Sequence, residues 1–269
     1  MTCTFVVEPA AGCPDTTTPA ENPADPIAFV RTQLGFEPDE PQRRVLSSSA
    51  KRGILNCTRQ WGKSTITAAK ALHRAWSEPG SLVLVASPTD RQSAEFVLKT
   101  REFAGRMGLS TRGDGHNRCS LLLPNGSRIV GLPGTEETVR GFSAVSLLLI
   151  DEAAIVPDEL YRALRPTLAV KDGDLWLMST PRRKHGFFYQ TWAHGGDDWE
   201  RVGVPATECA RISRSFLEGE REALGNRAFR REYMTEFEDG GVGVFNLSQI
   251  ENALDGTLRP LAFQETWCC

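Results

Sequence analysis

Three consecutive residues, Gly62, Lys63 and Ser64, have the types that hold a nucleotide phosphate chain. Backbone N–H groups at a helix N-terminus attract phosphate oxygens, a lysine reaches the β- and γ-phosphates, and a serine hydroxyl binds Mg²⁺. The loop departs from the usual pattern because Cys57 stands where the first glycine is expected. Gly-Lys-Ser alone is a weak signal, so its surroundings decide its meaning. The residues of this loop predicted to contact the nucleotide are Thr58, Arg59, Gln60, Trp61, Gly62, Lys63, Ser64 and Thr65.

A second chemical signal is an acidic pair, Asp151 and Glu152, which follows four apolar residues, Leu147 to Ile150. This pattern places both carboxylates at the carboxyl end of a buried strand, where open α/β sheets bind ligands. Asp151 is predicted to hold Mg²⁺ together with Ser64, and Glu152 to orient and deprotonate an attacking water. The alternative is an exposed acidic turn after a core strand. Both motifs in this order favour a nucleotide site.

The hydrophobic pattern supplies the elements that position these motifs. Buried strands are predicted over 52–57, 81–86, 145–150 and 175–178, and helices over 64–76, 90–107 and after Pro157. Pro124-Asn-Gly126 separates two strand-like runs, 119–123 and 127–130, as in a β-hairpin. Buried strands that alternate with helices predict an α/β fold with a mainly parallel sheet covered on both faces.

The same pattern divides the chain into four segments. Residues 1–26, rich in Pro, Thr, Ala and Asp, are predicted to be a disordered arm. Residues 27–205 are predicted to form the phosphate-loop ATPase core, and 206–255 a small helical lid with helices over 212–224 and 226–237. Residues 256–269 are expected to be an irregular tail.

Composition excludes several classes of protein. The chain has 269 residues, 40% hydrophobic and 24% charged, with a net charge of −3, which excludes a strongly basic DNA-coating protein. No apolar run approaches the ~20 residues of a membrane span, and no secretory signal is visible. The seven cysteines form no CxxC pair, so neither a disulfide framework nor a zinc site is expected. These features predict a protein of a reducing compartment.

Taken together, the motifs resemble the large terminase subunit of tailed double-stranded DNA phages, the ATP-driven motor that packages DNA. The resemblance covers about residues 29–245, most of the chain. It rests on six segments: Glu40-Pro-Gln42, Thr58-Arg-Gln-Trp-Gly-Lys-Ser64, Val139-Arg-Gly141, Asp151-Glu-Ala-Ala154, Ser179-Thr-Pro181 and Phe229 to Phe237.

The resemblance implies the fold and the roles of further residues. It implies a P-loop NTPase sheet of the additional-strand, catalytic-glutamate type with a C-terminal helical lid, and ATP and Mg²⁺ as cofactors. Gln42 would read the adenine, Arg140 would act as an arginine finger in a neighbouring subunit, and Thr180 would sense the γ-phosphate. Arg59 would contact phosphate or sense the nucleotide, and is the alternative finger within its own site.

The resemblance also implies partners and a location. The expected partners are double-stranded DNA, further copies of the chain in a ring (a pentamer in the family), the portal protein and the small terminase subunit. No membrane partner is expected. The protein would act in the cytoplasm of a bacterial host and would not be secreted.

Each of these residues has a simpler interpretation. Gln42 alone is an ordinary surface glutamine, Arg59 is a loop cap or the partner of an acidic neighbour, and Trp61 packs rather than stacks on a base. Arg140 forms a surface salt bridge with Glu136 or Glu137 on a helix. Thr180 only ends a strand, and the basic segment 182–185 is a solvated loop.

A complete large terminase carries a C-terminal nuclease whose clustered carboxylates bind two metal ions. Here 88 residues follow Pro181, and no spaced Asp/Glu set is seen after Phe245, so nuclease activity is not expected. The alternatives for the origin of the chain are a fragment, a natural truncation, or a frameshift or split gene. Two other functions compete. A helicase-like translocase needs a second nucleotide-binding domain, for which this length is too small, and a nuclease-less remnant would be an assembly or binding module.

Overall fold

A seven-stranded sheet forms the centre of the computed structural model, which describes residues 24–132, 139, 141–239 and 253. The strand order is β3-β4-β2-β5-β6-β1-β7. The strands are β1 Arg52–Cys57, β2 Leu82–Ala86, β3 Ser120–Leu122, β4 Arg128–Leu132, β5 Leu147–Asp151, β6 Asp174–Ser179 and β7 Glu200–Val204. Only the β3–β4 pair is antiparallel among these strands. The predicted α/β class, the mainly parallel sheet and the hairpin at Pro124-Asn-Gly126 are confirmed.

Helices cover both faces of this sheet. They are α1 Pro26–Phe29, α2 Glu40–Ser47, α3 Lys63–Ser77, α4 Asp90–Arg106, α5 Asp158–Leu164, α6 Gly186–His194 and α7 Arg214–Met234. A π-helical turn over Val30–Leu34 continues α1. None of the helices in the described ranges is long and apolar enough to cross a lipid bilayer.

Alternation along the strands creates two cores. In β5, Leu147 and Leu149 pack on the side of α3 and α4, whereas Leu148 and Ile150 pack on the side of α5 and α6. Successive side chains of a strand point to opposite faces, so a strand that is apolar at every position must be covered twice. The continuous apolar runs predicted this burial, and all five residues of β5 are buried.

Helix α7 is a helical hairpin rather than one rod. Gly225 has φ 73° and ψ 163°, which breaks the helix. The Tyr233 hydroxyl donates a hydrogen bond to Glu220 Oε2 at 2.8 Å, and the Phe216 and Tyr233 rings lie 6.1 Å apart. In a continuous helix such residues would be about 20 Å apart, because each residue adds ~1.5 Å. The chain therefore folds back at Gly225, and the two predicted helices on either side of this residue are confirmed.

Several elements were not predicted from the sequence. Helices α2 and α6 and strand β7 are short elements of eight, nine and five residues, and β7 pairs in parallel with β1. Helix α1 begins at Pro26 with Asp25 as its N-cap, inside the segment predicted to be a disordered arm. The rest of that arm to residue 23, the lid beyond residue 239 apart from Ala253, and the tail lie outside the described residues, and the four domain boundaries stay predictions.

Three of the seven cysteines lie within the described residues. Cys57, Cys119 and Cys209 are free thiols. The other four cysteines lie outside the described residues.

Candidate nucleotide-binding site

The phosphate loop joins β1 to α3 at the carboxyl edge of the sheet. Its backbone takes left-handed values at Gln60, with φ 63°, and at Gly62, with φ 102°. Gly62 is the N-cap of α3, and no side-chain hydrogen bond caps that helix. A helix N-terminus of this kind attracts phosphate oxygens. The loop therefore has the backbone form that the sequence motif predicted.

Lys63 is buried at the start of α3. Its Nζ donates hydrogen bonds to the Cys57 and Thr58 carbonyls, both at 3.1 Å, and to Thr180 Oγ1 at 3.0 Å. Burial lowers the pKa of Lys63, and the nearby carboxylates of Glu152 and Asp151 oppose this shift. The ammonium thus joins the phosphate loop to the end of β6, and the structure brings Lys63 and Thr180 together.

Asp151 and Glu152 lie at the end of β5, as their sequence context predicted. Asp151 is only 7% exposed. Burial and the neighbouring Glu152 raise the pKa of the Asp151 carboxyl to about 6, while Lys63 acts in the opposite direction. Its Oδ1 accepts the Glu152 N–H at 3.0 Å. Glu152 has φ 49°, a value uncommon for a residue with a side chain, and such strain often occurs at functional sites.

Ser179 is a site residue whose role the sequence did not reveal. It is fully buried, and its Oγ donates to Glu152 Oε2 at 3.3 Å and lies 2.9 Å from the Thr180 carbonyl. The β5–β6 register pairs Asp151 with Met178, so Ser179 lies one residue further along the adjacent strand. Only this pairing, which joins residues 27 positions apart, shows that Ser179 contacts the acidic pair.

The residues around Ser64 and Thr65 complete the phosphate-loop end of α3. Both are half-buried at the first turn of the helix. The Ser64 hydroxyl and the Asp151 carboxylate are hard oxygen donors of the kind that Mg²⁺ prefers. Lys99, on α4, donates to Thr65 Oγ1 at 3.3 Å and was missed because no local motif marks it.

Gln42 lies beside the phosphate loop, buried in the first turn of α2. Its Oε1 accepts the Asp39 N–H at 3.1 Å, and its Nε2 donates to the Trp61 carbonyl at 3.3 Å. The Trp61 indole is fully buried and donates from Nε1 to Asp39 Oδ2 at 3.1 Å. The Trp61 side chain therefore packs in the interior, and Trp61 contributes to the surface of the phosphate loop only through its backbone.

Arg59 and Thr58 connect the phosphate loop to the lid. The Arg59 Nε lies 2.6 Å from Glu232 Oε2 on the second half of α7. The Thr58 hydroxyl donates to the Glu232 carbonyl at 3.1 Å, and Asn56 Nδ2 donates to the Thr235 carbonyl at 3.0 Å. The acidic partner that the simpler interpretation gave to Arg59 is present, and it belongs to the lid.

Two predicted features remain. Arg140 lies outside the described residues. The basic segment 182–185 borders a cleft of about 530 Å³ next to α7, and Lys184 Nζ forms an ion pair with Asp239 Oδ1 at 2.6 Å. The Lys184 N–H donates to the Glu238 carbonyl at 2.8 Å, so this segment is tied to the chain that leaves the lid.

The topology defines the class of protein. The phosphate loop follows β1, the acidic pair lies at the carboxyl end of β5, and β6 lies between these strands as an additional strand. This is the predicted P-loop NTPase sheet. The chain belongs to the family described as "Terminase large subunit, T4likevirus-type, N-terminal", whose model matches residues 54–252. The family suggested by the sequence motifs is confirmed.

Similar proteins agree with this assignment. The large terminase subunit of Thermus virus P23-45 is 26% identical over 248 residues, which cover 79% of this chain and 51% of that protein. The corresponding protein of Thermus phage G20c is also 26% identical over 248 residues, with the same coverage. The chain therefore spans about half the length of the curated relatives it matches.

Solved structures show the same fold. The large terminase ATPase domain of Thermus phage P74-26 has a TM-score of 0.71 and 24% identity, and the match covers 80% of this chain and 99% of that domain. The HK97 bacteriophage large terminase has a TM-score of 0.67 and 14% identity, with coverage of 79% and 55%. A large terminase from a thermophilic bacteriophage, solved in complex with ADP, has a TM-score of 0.65 and 12% identity, with coverage of 74% and 53%.

Proposed function

We propose that this chain hydrolyses ATP and is the motor domain of a phage packaging machine that translocates double-stranded DNA. The observation that carries the proposal is the convergence of Lys63, Thr180 and the Asp151–Glu152 pair at one edge of the sheet. Lys63 Nζ lies 3.0 Å from Thr180 Oγ1, and Ser179 holds Glu152 beside them. Family membership and the terminase relatives support this function over a helicase-like one.

The proposed roles follow from the chemistry of each residue. Lys63 would exchange an internal hydrogen bond for β- and γ-phosphate oxygens, and the first N–H groups of α3 would bind the phosphates. Asp151 and Ser64 would hold Mg²⁺, which would neutralise phosphate charge. Glu152 would take the proton of the attacking water, Thr180 would sense the γ-phosphate, and Gln42 would read the adenine.

The partners are proposed from the family as a whole. They are double-stranded DNA, further copies of this chain in a ring, the portal protein and the small terminase subunit, all in the host cytoplasm. In such a ring Arg140 would reach the γ-phosphate of a neighbouring subunit, and Arg59 would serve its own site.

Two substitutions test the nucleotide site. Lys63→Ala removes the cation aimed at the phosphates, so ATP binding should weaken strongly. Glu152→Gln should leave Mg·ATP binding intact but lower hydrolysis by about 10²–10⁴-fold, because binding needs no base. Calorimetric titration with Mg·ATP and a phosphate-release assay measure the two effects.

The control for the acidic residue is Glu159→Gln, which changes an exposed glutamate on α5 and should leave both quantities unchanged. Wild-type turnover in Glu152→Gln would show that another residue is the base. Unchanged binding and turnover in Lys63→Ala would refute the phosphate-loop assignment itself.

The finger is tested by mixing subunits under conditions of ring assembly. An arginine finger contributes roughly 10³–10⁵ in rate and much less to ground-state binding, so Arg140→Ala should bind ATP but lose stimulated hydrolysis. An Arg140→Ala subunit keeps a working site that the arginine of a Glu152→Gln neighbour can complete. The mixture should then regain activity that neither variant shows alone. Co-assembly without recovery would favour Arg59 in its own site.

A further inference from the structure

A cation that no sequence motif marked lies at the mouth of the phosphate loop. Arg211 belongs to the segment that leads from β7 into α7. This segment is anchored in the core on both sides of Arg211, by the buried Cys209 and the half-buried Ile212. The guanidinium donates to the Trp61 carbonyl and lies 3.5 Å from Asp39 Oδ2. The side chain is nevertheless 56% exposed, so its position is fixed while one side faces solvent.

Arg211 and Gln42 lie against the same part of the loop. Both donate to the Trp61 carbonyl. A Cβ placed on Gly62 would lie 3.4 Å from Gln42 Nε2 and 3.7 Å from both terminal nitrogens of Arg211. A base whose edge reached the Gln42 amide would therefore lie within range of the Arg211 guanidinium. Gln42 and Arg211 are therefore far apart in the sequence but close together in the fold.

The chemistry of a guanidinium suits the face of a base. It is planar, weakly hydrated and always charged, and it stacks on aromatic rings. An amide such as that of Gln42 instead donates to and accepts from the edge of a purine. Gln42 and Arg211 would thus recognise different parts of the same base: Gln42 would bind its edge, and Arg211 would stack on its face.

We propose that Arg211 is a base-contacting residue of the nucleotide site, with its guanidinium against the face of the purine whose edge Gln42 reads. This inference rests on the proposed ATP site and adds a specificity residue to it. Arg211 lies within the lid segment, three residues before α7, so the bound base would also contact the lid. The contact would strengthen ground-state binding of nucleosides and would leave the affinity for bare phosphate chains unchanged.

Calorimetric titration of the full chain with Mg·ATP and with magnesium tripolyphosphate tests the proposal. Arg211→Ala should weaken ATP binding by about 2- to 30-fold, the range of a cation–π contact, and leave tripolyphosphate binding unchanged. Arg211→Lys keeps the charge but loses the planar group, so it should also weaken ATP binding. Arg214→Ala, which removes an exposed arginine at the first position of α7, is the matched control and should bind both ligands like the wild type.

Three results would overturn the inference. Unchanged ATP affinity in both Arg211 variants would show that the guanidinium does not contact the base. Equal loss for ATP and tripolyphosphate would make Arg211 a phosphate contact. If Arg211→Ala unfolds in urea much earlier than the wild type, Arg211→Lys decides, and wild-type ATP affinity in that variant counts against the proposal. Lys63→Ala distinguishes these failures from a failure of the ATP site, because it should weaken both ligands whatever Arg211 does.

Discussion

On the sheet side of the candidate site, polar residues are buried and held by hydrogen bonds, whereas the lid side meets them through a helix with few buried side chains. Five residues of the sheet side are at most 7% exposed: Thr58, Lys63, Asp151, Ser179 and Thr180. Over its 21 residues α7 buries only Leu217 and Phe229. The first region is a preorganised site, and the second is a cover attached to it by a few polar contacts.

This difference separates two tasks. A catalytic base and a metal ligand must be held close to their productive geometry, which burial and neighbouring hydrogen bonds achieve. A lid that responds to the nucleotide needs contacts that can be exchanged at small free-energy cost. The contacts of Glu232 with Arg59 and Thr58 are of this kind, because they are one ion pair and one hydrogen bond.

Two glycines provide the largest expected contrast between the regions. A Cβ on Gly53, in β1, would lie 2.4 Å from the fully buried Trp176 ring, whereas a Cβ on Gly219, in α7, would meet nothing within 4 Å. Gly53→Ala should destabilise the protein by about 1–3 kcal/mol through overpacking. Gly219→Ala should stabilise it by up to about 1 kcal/mol, because alanine favours a helix.

Urea unfolding of both variants and the wild type measures these changes in the free energy of unfolding. The slope of the transition should be the same for all three if only stability changes. A destabilised Gly219→Ala would mean that the first half of α7 is packed against something in solution, and the contrast between the regions would be lost.

A second contrast concerns Asp151 and the pH. The pKa of this carboxyl is raised to about 6 in the folded chain, against ~3.9 when unfolded. A raised pKa means that the unfolded state ionises first, so the stability present below ~3.9 is lost as the pH rises through about 6. Asp151→Asn removes the buried charge and should stabilise the nucleotide-free, metal-free chain by roughly 1–3 kcal/mol near pH 8. Near pH 5 about half of the gain should remain, and it should almost disappear only below the unfolded pKa of ~3.9.

The measurement is the free energy of unfolding of both proteins across this pH range. Asp197→Asn, at an exposed position, is the matched control and should show no such pH dependence. If Asp151→Asn is less stable than the wild type near pH 8, the carboxylate is well paired, and burying it in ionised form does not lower the free energy of unfolding. The expected gain in stability would accompany loss of Mg²⁺-dependent binding, a common trade-off at functional sites.

The sheet side was largely predictable from the sequence, and the lid side was not. The phosphate loop and the Asp151–Glu152 pair are continuous segments whose flanking apolar runs place them at strand ends. Ser179, Lys99 and Arg211 join the site through contacts across 27, 34 and 150 positions, which no local pattern encodes. For the same reason, the sequence left two interpretations of Arg59 open and did not identify Glu232 as its partner.

The smallest effect concerns the Arg59–Glu232 pair, where the two regions meet. The Arg59 side chain is 68% exposed, and Arg231 also pairs with Glu232, at 2.9 Å, so either partner can lose the other at little cost. A double-mutant cycle with Arg59→Gln and Glu232→Gln should give a coupling free energy of about 0.2–1 kcal/mol, because solvent and a competing cation screen the attraction. The coupling should fall further at roughly 1 M salt, where the screening length is only about 3 Å.

The cycle is measured by urea unfolding at low salt and at roughly 1 M salt. A coupling above about 2 kcal/mol that persists in high salt would place this contact among the firmly held groups of the sheet side. The lid would then be a fixed wall of the site rather than a cover that separates from it.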